Sequence, residues 1–343
     1  MAAVRGLAAG GYRPAVTVAS QSWGSAPSRY CSRRVQLPSV TSKSYAAAIR
    51  AEINSGSYLA VIPASEDALV AIGVSKPELL DKTTMNQAAE QAGFRVPPSK
   101  LFLSRKDAIH HSHELEYPVV VKPTQRRYWA FRADHPGQLP AGMVHDGPVI
   151  VQPYIEEPMT AVSGVVWEGR LPAAVHERWL RTWPLHCGLA SAAETVSPND
   201  ELEKRLLTLL SGYQGIFCAQ FVGDCLIDLN LRVHSSHPLA VASGVNVVAL
   251  YCDLLQGKIV SPVRARPGIY YRWLEGDVRH MVKAVRSRRM NMVQVLQALK
   301  PRRGTAHSTE SLRDPFAMAE RIVSGLKRRI AASRETARPQ RGA

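Results

Sequence analysis

The run Tyr-Pro-Val-Val-Val-Lys-Pro at residues 117–123 is the feature that most constrains this chain. Three consecutive β-branched residues, Val119, Val120 and Val121, read as a strand covered on both faces. A lysine at the end of such a strand is out of place as a packing residue. Burying its ammonium costs free energy unless it is paired or reaches solvent. Pro123 then ends the hydrogen-bonding ladder and turns the chain. Lys122 is therefore expected at a strand tip, aimed into whatever lies beyond it. A strand-end lysine that snorkels to water is the plainer reading, and the rest of the chain has to decide between the two.

The chain has 343 residues, enough for two to three compact domains, and 45% are hydrophobic, enough for a sizeable core. A net charge of +15 suggests nucleic acid until it is located. Residues 264–343 carry 19 Lys and Arg against 6 Asp and Glu, whereas residues 1–263 carry 24 against 22. The basic character belongs to the C-terminal region, where few aromatics interleave the charges, and this argues against nucleic-acid binding. The five cysteines (Cys31, Cys187, Cys218, Cys225 and Cys252) form no CxxC pair. That pattern suits a reducing cytoplasm and no zinc site. His110, His111 and His113 lack regular ligand spacing and read as solvated. Arg5 and nearby glycines interrupt any apolar core of a signal peptide. The longest apolar stretch, 238–252, is too short to span a bilayer.

Along the chain, helices are expected at 2–9 and 42–55 and short buried strands at 15–19 and 58–63, an open α/β pattern. A helix follows at 65–73, and another over 78–92 is closed by Gly93. Strands follow around 98–104, at 117–123 and at 148–155. Hairpins pair 161–168 with 171–178 and, through Gly223 and Asp224, 216–222 with 225–231. Helices are expected at 104–113, 199–212 and 244–256. From 277 the chain reads as helical, basic and peripheral, with a disordered tail at 334–343.

Four motifs, in order, answer the question that Lys122 raises. They are Lys82 in DKTTMNQAAEQAGFRVP, Lys122 in YPVVVKP, residues 152–155 in VIVQPYI, and CAQFVGDCLIDLNLRVHSS at 218–236. Their order and spacing resemble the ATP-grasp superfamily, in its carbamoyl phosphate synthetase-like branch of carboxylate–amine ligases. The resemblance covers roughly residues 12–260. It implies an incomplete Rossmann-like α/β unit over 1–75, with the first strand lost, and an α+β ATP-grasp domain over 76–263. A basic helical extension (264–333) and the tail (334–343) follow.

The resemblance implies that Lys82 and Lys122, from separate elements, neutralise the phosphates of ATP. Gln152, Pro153, Tyr154 and Ile155 would form the adenine hinge, although Pro153 supplies no amide. Glu156 or Glu157 would hold the ribose. Asp228 and Asn230, at i and i+2, project from one face of a strand and would hold Mg2+, with Mn2+ an alternative, through hard oxygens. Gln220 stands where the family has the facing carboxylate. A two-residue turn would set Gln220 opposite Ile227, on the wrong face. A three-residue turn, Gly223 to Cys225, would set it opposite Asp228. Arg232 would face the transferred phosphoryl group. Residues 176–191 resemble the loop that closes over the substrate, with Arg178 and Arg181 as ligands of phosphate or substrate carboxylate. Cys187 has only the adjacent His186 as a base and makes a poor nucleophile.

One departure stands out. The glycine-rich loop expected after the second lysine reads PTQRRYWAFRAD, with Arg126 and Arg127 as a charged substitute for amide contacts. The reading overall is an ATP-dependent ligase that joins a small carboxylate to an amine-type nucleophile, with oligomerisation open. The alternative is an ATP-binding pseudoenzyme acting as a regulatory or scaffold partner.

Overall fold

The computed structural model describes residues 1–19, 28–56, 58–124, 130–143, 146–316 and 318–319. Arg126, Arg127 and the tail 334–343 lie outside the described residues, as does the part of the extension beyond 319.

The N-terminal unit opens with helix α1 (Ala2–Ala9), followed by β1 (Ala15–Ala19) and β2 (Arg33–Leu37). The two strands pair in parallel, Val16 opposite Arg34. Helices α2 (Tyr45–Ser55) and α3 (Glu66–Ile72) follow, and α2 packs on β2 and α3. The strand expected at 58–63 is corrected: the segment crosses the molecule without pairing. Leu59 is exposed and the other side chains are only half buried, and Ile62 and Pro63 face a cleft instead of a ladder.

Helix α4 (Lys82–Gln91) begins where the Asp81 carboxylate accepts the backbone N–H groups of Thr83, at 2.9 Å, and Thr84, at 3.4 Å. That cap sets Lys82 in the first turn. Gly93, at φ +81°, ends the helix as its C-terminal glycine. A smaller lobe follows with β3 (Lys100–Phe102), α5 (Arg105–His110), β4 (Val119–Pro123), β5 (Phe131–Ala133), α6 (Leu139–Gly142) and β6 (Val149–Pro153). Its sheet runs β3-β6-β4-β5 and is antiparallel throughout. Phe102, Ala108, Val119, Val121 and Leu139 form its core.

The larger lobe comprises β7 (Met159–Trp167), β8 (Arg170–Trp183), β9 (Leu189–Thr195), α7 (Asp200–Leu209), β10 (Gly215–Val222), β11 (Cys225–Asn230), α8 (His237–Ala242) and α9 (Val247–Leu255). Then come β12 (Val263–Arg264), β13 (Tyr270–Arg272), α10 (Leu274–Arg286), α11 (Met292–Leu299) and β14 (Ala306–His307). The described residues build one sheet in the order β11-β10-β7-β8-β9-β13-β14, with β12 on β8. The helical reading of 264–333 is thereby corrected in part. Three strands of that segment join the main sheet, because Tyr270 and Tyr271 are buried and pair with β9.

The closing loop expected over 176–191 is also corrected. Strand β8 runs on to Trp183 and β9 starts at Leu189, so only 184–188 form the turn. Pairings such as Arg178 with Glu194 and Trp183 with Leu189 hold the two strands together.

Candidate functional site

A cleft of about 810 Å³ lies between the small sheet and the β10–β11 side of the large one. Lys82, Lys122, Gln152, Pro153, Tyr154, Ile155, Glu157, Arg181, Gln220, Asp228, Asn230 and Arg232 all line it. Glu156 and Arg178 do not.

Lys122 is where the sequence placed it. It pairs with Ile150 in the small sheet, is buried, and sends Nζ across the cleft to the Ile227 carbonyl at 3.1 Å. Lys82 reaches the neighbouring residue of the same strand, donating to the Asp228 carboxylate. Two ammonium groups from separate elements of the chain therefore meet on consecutive residues of β11.

The β10–β11 hairpin reaches the required register by a route the sequence did not suggest. Its turn has two residues, since Val222 pairs with Cys225 and Phe221 with Leu226. The register then shifts, and Gln220 pairs with Asp228. Ile227 is the extra residue of a β-bulge, which re-aims the strand by one position. The ladder partner that Ile227 lacks is replaced by Lys122. The three-residue turn is thus corrected, while the juxtaposition it was meant to achieve is present.

A chain of hydrogen bonds runs along the cleft face from this point. Asn230 Nδ2 donates to Asp228 Oδ2 at 2.9 Å, and Arg232 Nη2 donates to Asn230 Oδ1 at 3.0 Å. Beyond the strand, Val233, His234, Ser235 and Ser236 line the cleft in succession. The sequence singles out none of them, and strand alternation could not have found them, because the chain there is no longer a strand.

Behind them lies Glu177, fully buried, whose Oε1 accepts from Trp179 Nε1 at 3.0 Å and Ser236 Oγ at 2.8 Å. Burial pushes its carboxyl up to about 7. The neighbouring His234 is pushed down to about 3, mainly by burial and then by His237 and Arg232, and so stays neutral.

At the hinge, Gln152 Nε2 donates to Ser99 Oγ at 2.8 Å, and the Tyr154 N–H donates to the Pro118 carbonyl at 2.9 Å. The Tyr154 hydroxyl lies 2.9 Å from His186 Nδ1, and the Arg132 guanidinium stacks 4.0 Å from the Tyr154 ring centroid. Tyr154 thus ties the small lobe to the 184–188 turn. Burial lowers His186 to about 4 and raises the Cys187 thiol to about 11, so Cys187 is no thiolate at neutral pH. Glu157 packs over Gly223 in the hairpin turn, where φ is +58° and a Cβ would fall 2.1 Å from its carboxylate.

The two loop arginines separate. The Arg181 fork grips Asp277 at 2.5 and 3.0 Å and also donates to the Tyr270 hydroxyl at 2.8 Å. Its guanidinium is thus committed to the α10 end of the large lobe. Arg178 projects away from the cleft, is 52% exposed and pairs with Glu194. The structure does not bring it to the other expected site residues, because neighbouring β8 residues point to opposite faces and Glu177 and Trp179 occupy the inner one.

No family model matches the sequence, and no curated protein matches it. Solved structures do. Biotin carboxylase from Campylobacter jejuni, solved as a β-γ-ATP complex, is 17% identical with a TM-score of 0.57, over 78% of this chain and 71% of that one. L-amino acid ligase from Bacillus licheniformis is 17% identical with a TM-score of 0.53, over 70% and 68%. N5-carboxyaminoimidazole synthetase from Staphylococcus aureus is 13% identical with a TM-score of 0.55, over 78% and 77%. The likeness is one of fold: the chain shares the ATP-grasp fold of these proteins.

Proposed function

We propose that the protein is an ATP-dependent ligase that couples a carboxylate to an amine-type nucleophile. The observation that carries this reading is the meeting of Lys82 and Lys122 on Asp228 and Ile227. Two buried ammonium groups at one point of a cleft suit a polyphosphate, which spreads its charge over several oxygens. Residues 152–155 form the adenine slot and Glu157 is placed for the ribose.

The donor set suits one hard divalent cation. It offers the Asp228 carboxylate and the side-chain oxygens of Asn230 and Gln220, and a magnesium site commonly needs only one or two carboxylates beside substrate phosphates. When bound, such an ion neutralises charge on the phosphates. Lys82 compensates the Asp228 carboxylate in this structure, and nucleotide phosphate offers it a second partner.

In the reaction, a substrate carboxylate oxygen attacks the γ-phosphorus and ADP leaves. The amine then attacks the acyl carbon and phosphate leaves, with one proton released from nitrogen. Arg232, at the far end of the Asp228–Asn230 chain, is the donor fork for the carboxylate and the transferred phosphoryl group. The residues contribute orientation and charge stabilisation.

The test is phosphate release from ATP, with and without magnesium, against a panel of amino acids and small carboxylates. Release that needs both magnesium and a particular acid supports the ligase. A nucleotide-dependent rise in melting temperature with no release under any condition favours the pseudoenzyme. Neither a rise nor release removes nucleotide from the cleft altogether.

A further inference from the structure

Beside the cleft lies a second chamber of about 520 Å³, between the N-terminal unit and the large lobe. Its walls are mainly apolar, with Ile53, Ile62, Leu69, Ile72, Val74 and Ile216, and carry Ser75, Gln214 and Tyr251 as well. The Tyr213 hydroxyl on its wall is consumed internally, donating to the Ile216 carbonyl at 2.8 Å. The chamber and the cleft share a wall, since Ile62, Pro63, Arg232 and Val233 line both. Arg232 is therefore a charged group on the shared wall, with Asn230 and Asp228 on the cleft side and aliphatic side chains on the other. Its Nη1 donates to the Val233 carbonyl and its Nη2 to Asn230 Oδ1, both at 3.0 Å, so a bound carboxylate would share or replace these bonds.

We propose that this chamber holds the hydrocarbon chain of the carboxylate substrate, and that the substrate class is medium-chain aliphatic acids. The identification as substrate rests on the ligase reading; the binding itself does not. A guanidinium presents five N–H donors in a planar fork that suits a carboxylate. A carboxylate held by Arg232 stands next to the Asp228–Asn230 pair, with its chain leading away from the phosphates. The chamber volume is in the usual range for small-molecule pockets, and its wall has the composition such pockets share: a largely apolar lining with a few polar groups, of which Arg232 is the charged one. A short polar acid such as glutamate would leave the walls unfilled and bring its own charge against them.

Burial of each methylene is worth about a three- to fourfold gain in affinity. Equilibrium binding of butanoate, hexanoate and octanoate to the full chain should therefore show Kd falling by roughly tenfold for each pair of methylenes added. Octanol, which has the chain but no charge, should bind at least about tenfold more weakly than octanoate. Val74→Trp fills the chamber and should abolish the chain-length dependence while leaving the ATP-induced melting shift in place. Ile72→Trp serves the same purpose if the first variant does not fold, and the wild-type series decides if neither does. A flat series, glutamate binding as tightly as octanoate, octanol equalling octanoate, or a chain-length dependence that survives the filled chamber would each overturn the proposal. Chain-length-dependent binding in a protein that shows no ATP-induced shift would sink the ligase reading and leave the chamber standing.

Discussion

Two buried ion pairs lie beside the same cleft and differ in kind. Lys82 meets Asp228 through a single ammonium contact, and the other oxygen of Asp228 is held by Asn230. Arg181 grips Asp277 with two bonds, and Arg272 approaches the same carboxylate at 3.1 Å. Asp277 is wholly buried, whereas the side chains of Lys82 and Asp228 keep 11% and 12% of their surface in contact with the cleft. A lysine is a mobile point charge, and a fork on a buried carboxylate is a fixed joint. Sign and burial alone do not tell a binding cation from a structural one. The number of bonds already spent, and whether the partner is still wet, do.

Breaking the fixed joint should have the largest effect. Asp277→Ala leaves Arg181 and Arg272 buried beside each other without their counter-ion. Removing one partner of a buried pair costs about 3–5 kcal/mol. Chemical denaturation should show a loss of that size, and a loss below about 1 kcal/mol would mean that the joint is not structural.

Asp228→Asn attacks the other pair and should behave oppositely. Asn is nearly isosteric and Lys82 can turn to the cleft, so the denaturation midpoint should move little. Turnover should fall roughly a thousandfold, about 4 kcal/mol, because the carboxylate that would hold the charge-neutralising cation is gone. A variant that releases phosphate like the wild type would dissolve the contrast between the two pairs. So would one that unfolds like Asp277→Ala.

A third buried carboxylate, Glu177, has no cation at hydrogen-bond distance among the described residues, and its pH dependence sharpens the comparison. Its carboxyl is raised from 4.5 to about 7 by burial. The folded state therefore holds a proton that the unfolded chain releases. Stability from this group is complete below pH 4.5 and is lost as pH rises towards and through 7. Over that window the wild type should lose about 3 kcal/mol relative to Glu177→Gln, which stays neutral throughout. Parallel curves of unfolding free energy against pH for the two proteins would contradict the assignment.

What the sequence disclosed follows the same division between local and long-range causes. Lys122, Asp228 and Asn230 were legible because strand alternation and a terminal proline are local rules that tertiary packing did not override. The Gln220–Asp228 juxtaposition was legible as a requirement, but its cause was not. A β-bulge at Ile227 leaves no composition signal, and it is held from outside by Lys122, 105 residues earlier. Residues 58–63 looked like a strand because they are apolar. Val61, Ile62 and Pro63 instead line the cleft or the chamber, which only the assembled molecule reveals. The reach of β8 to Trp183 and the strands beyond 264 were hidden for a similar reason. Arg and Trp at strand positions read as a functional loop until the pairing partners, Ala190 to Thr195 and Tyr270 to Arg272, are known.

Arg178 gives the smallest expected effect and the finest test of the argument. It carries the same charge as Arg181, three residues away on the same strand, and sequence alone could not separate them. Its partner Glu194 lies directly opposite in the β8–β9 register, and its side chain is half exposed. An exposed pair of this kind contributes less than about 1 kcal/mol, and less again in salt. Arg178→Ala should therefore shift the denaturation midpoint only slightly, leave the ATP-induced melting shift unchanged and leave phosphate release at the wild-type rate. A marked loss of release with the fold intact would return Arg178 to the substrate. The outward face of β8 would then belong to the site, and the cleft would be larger than its present walls.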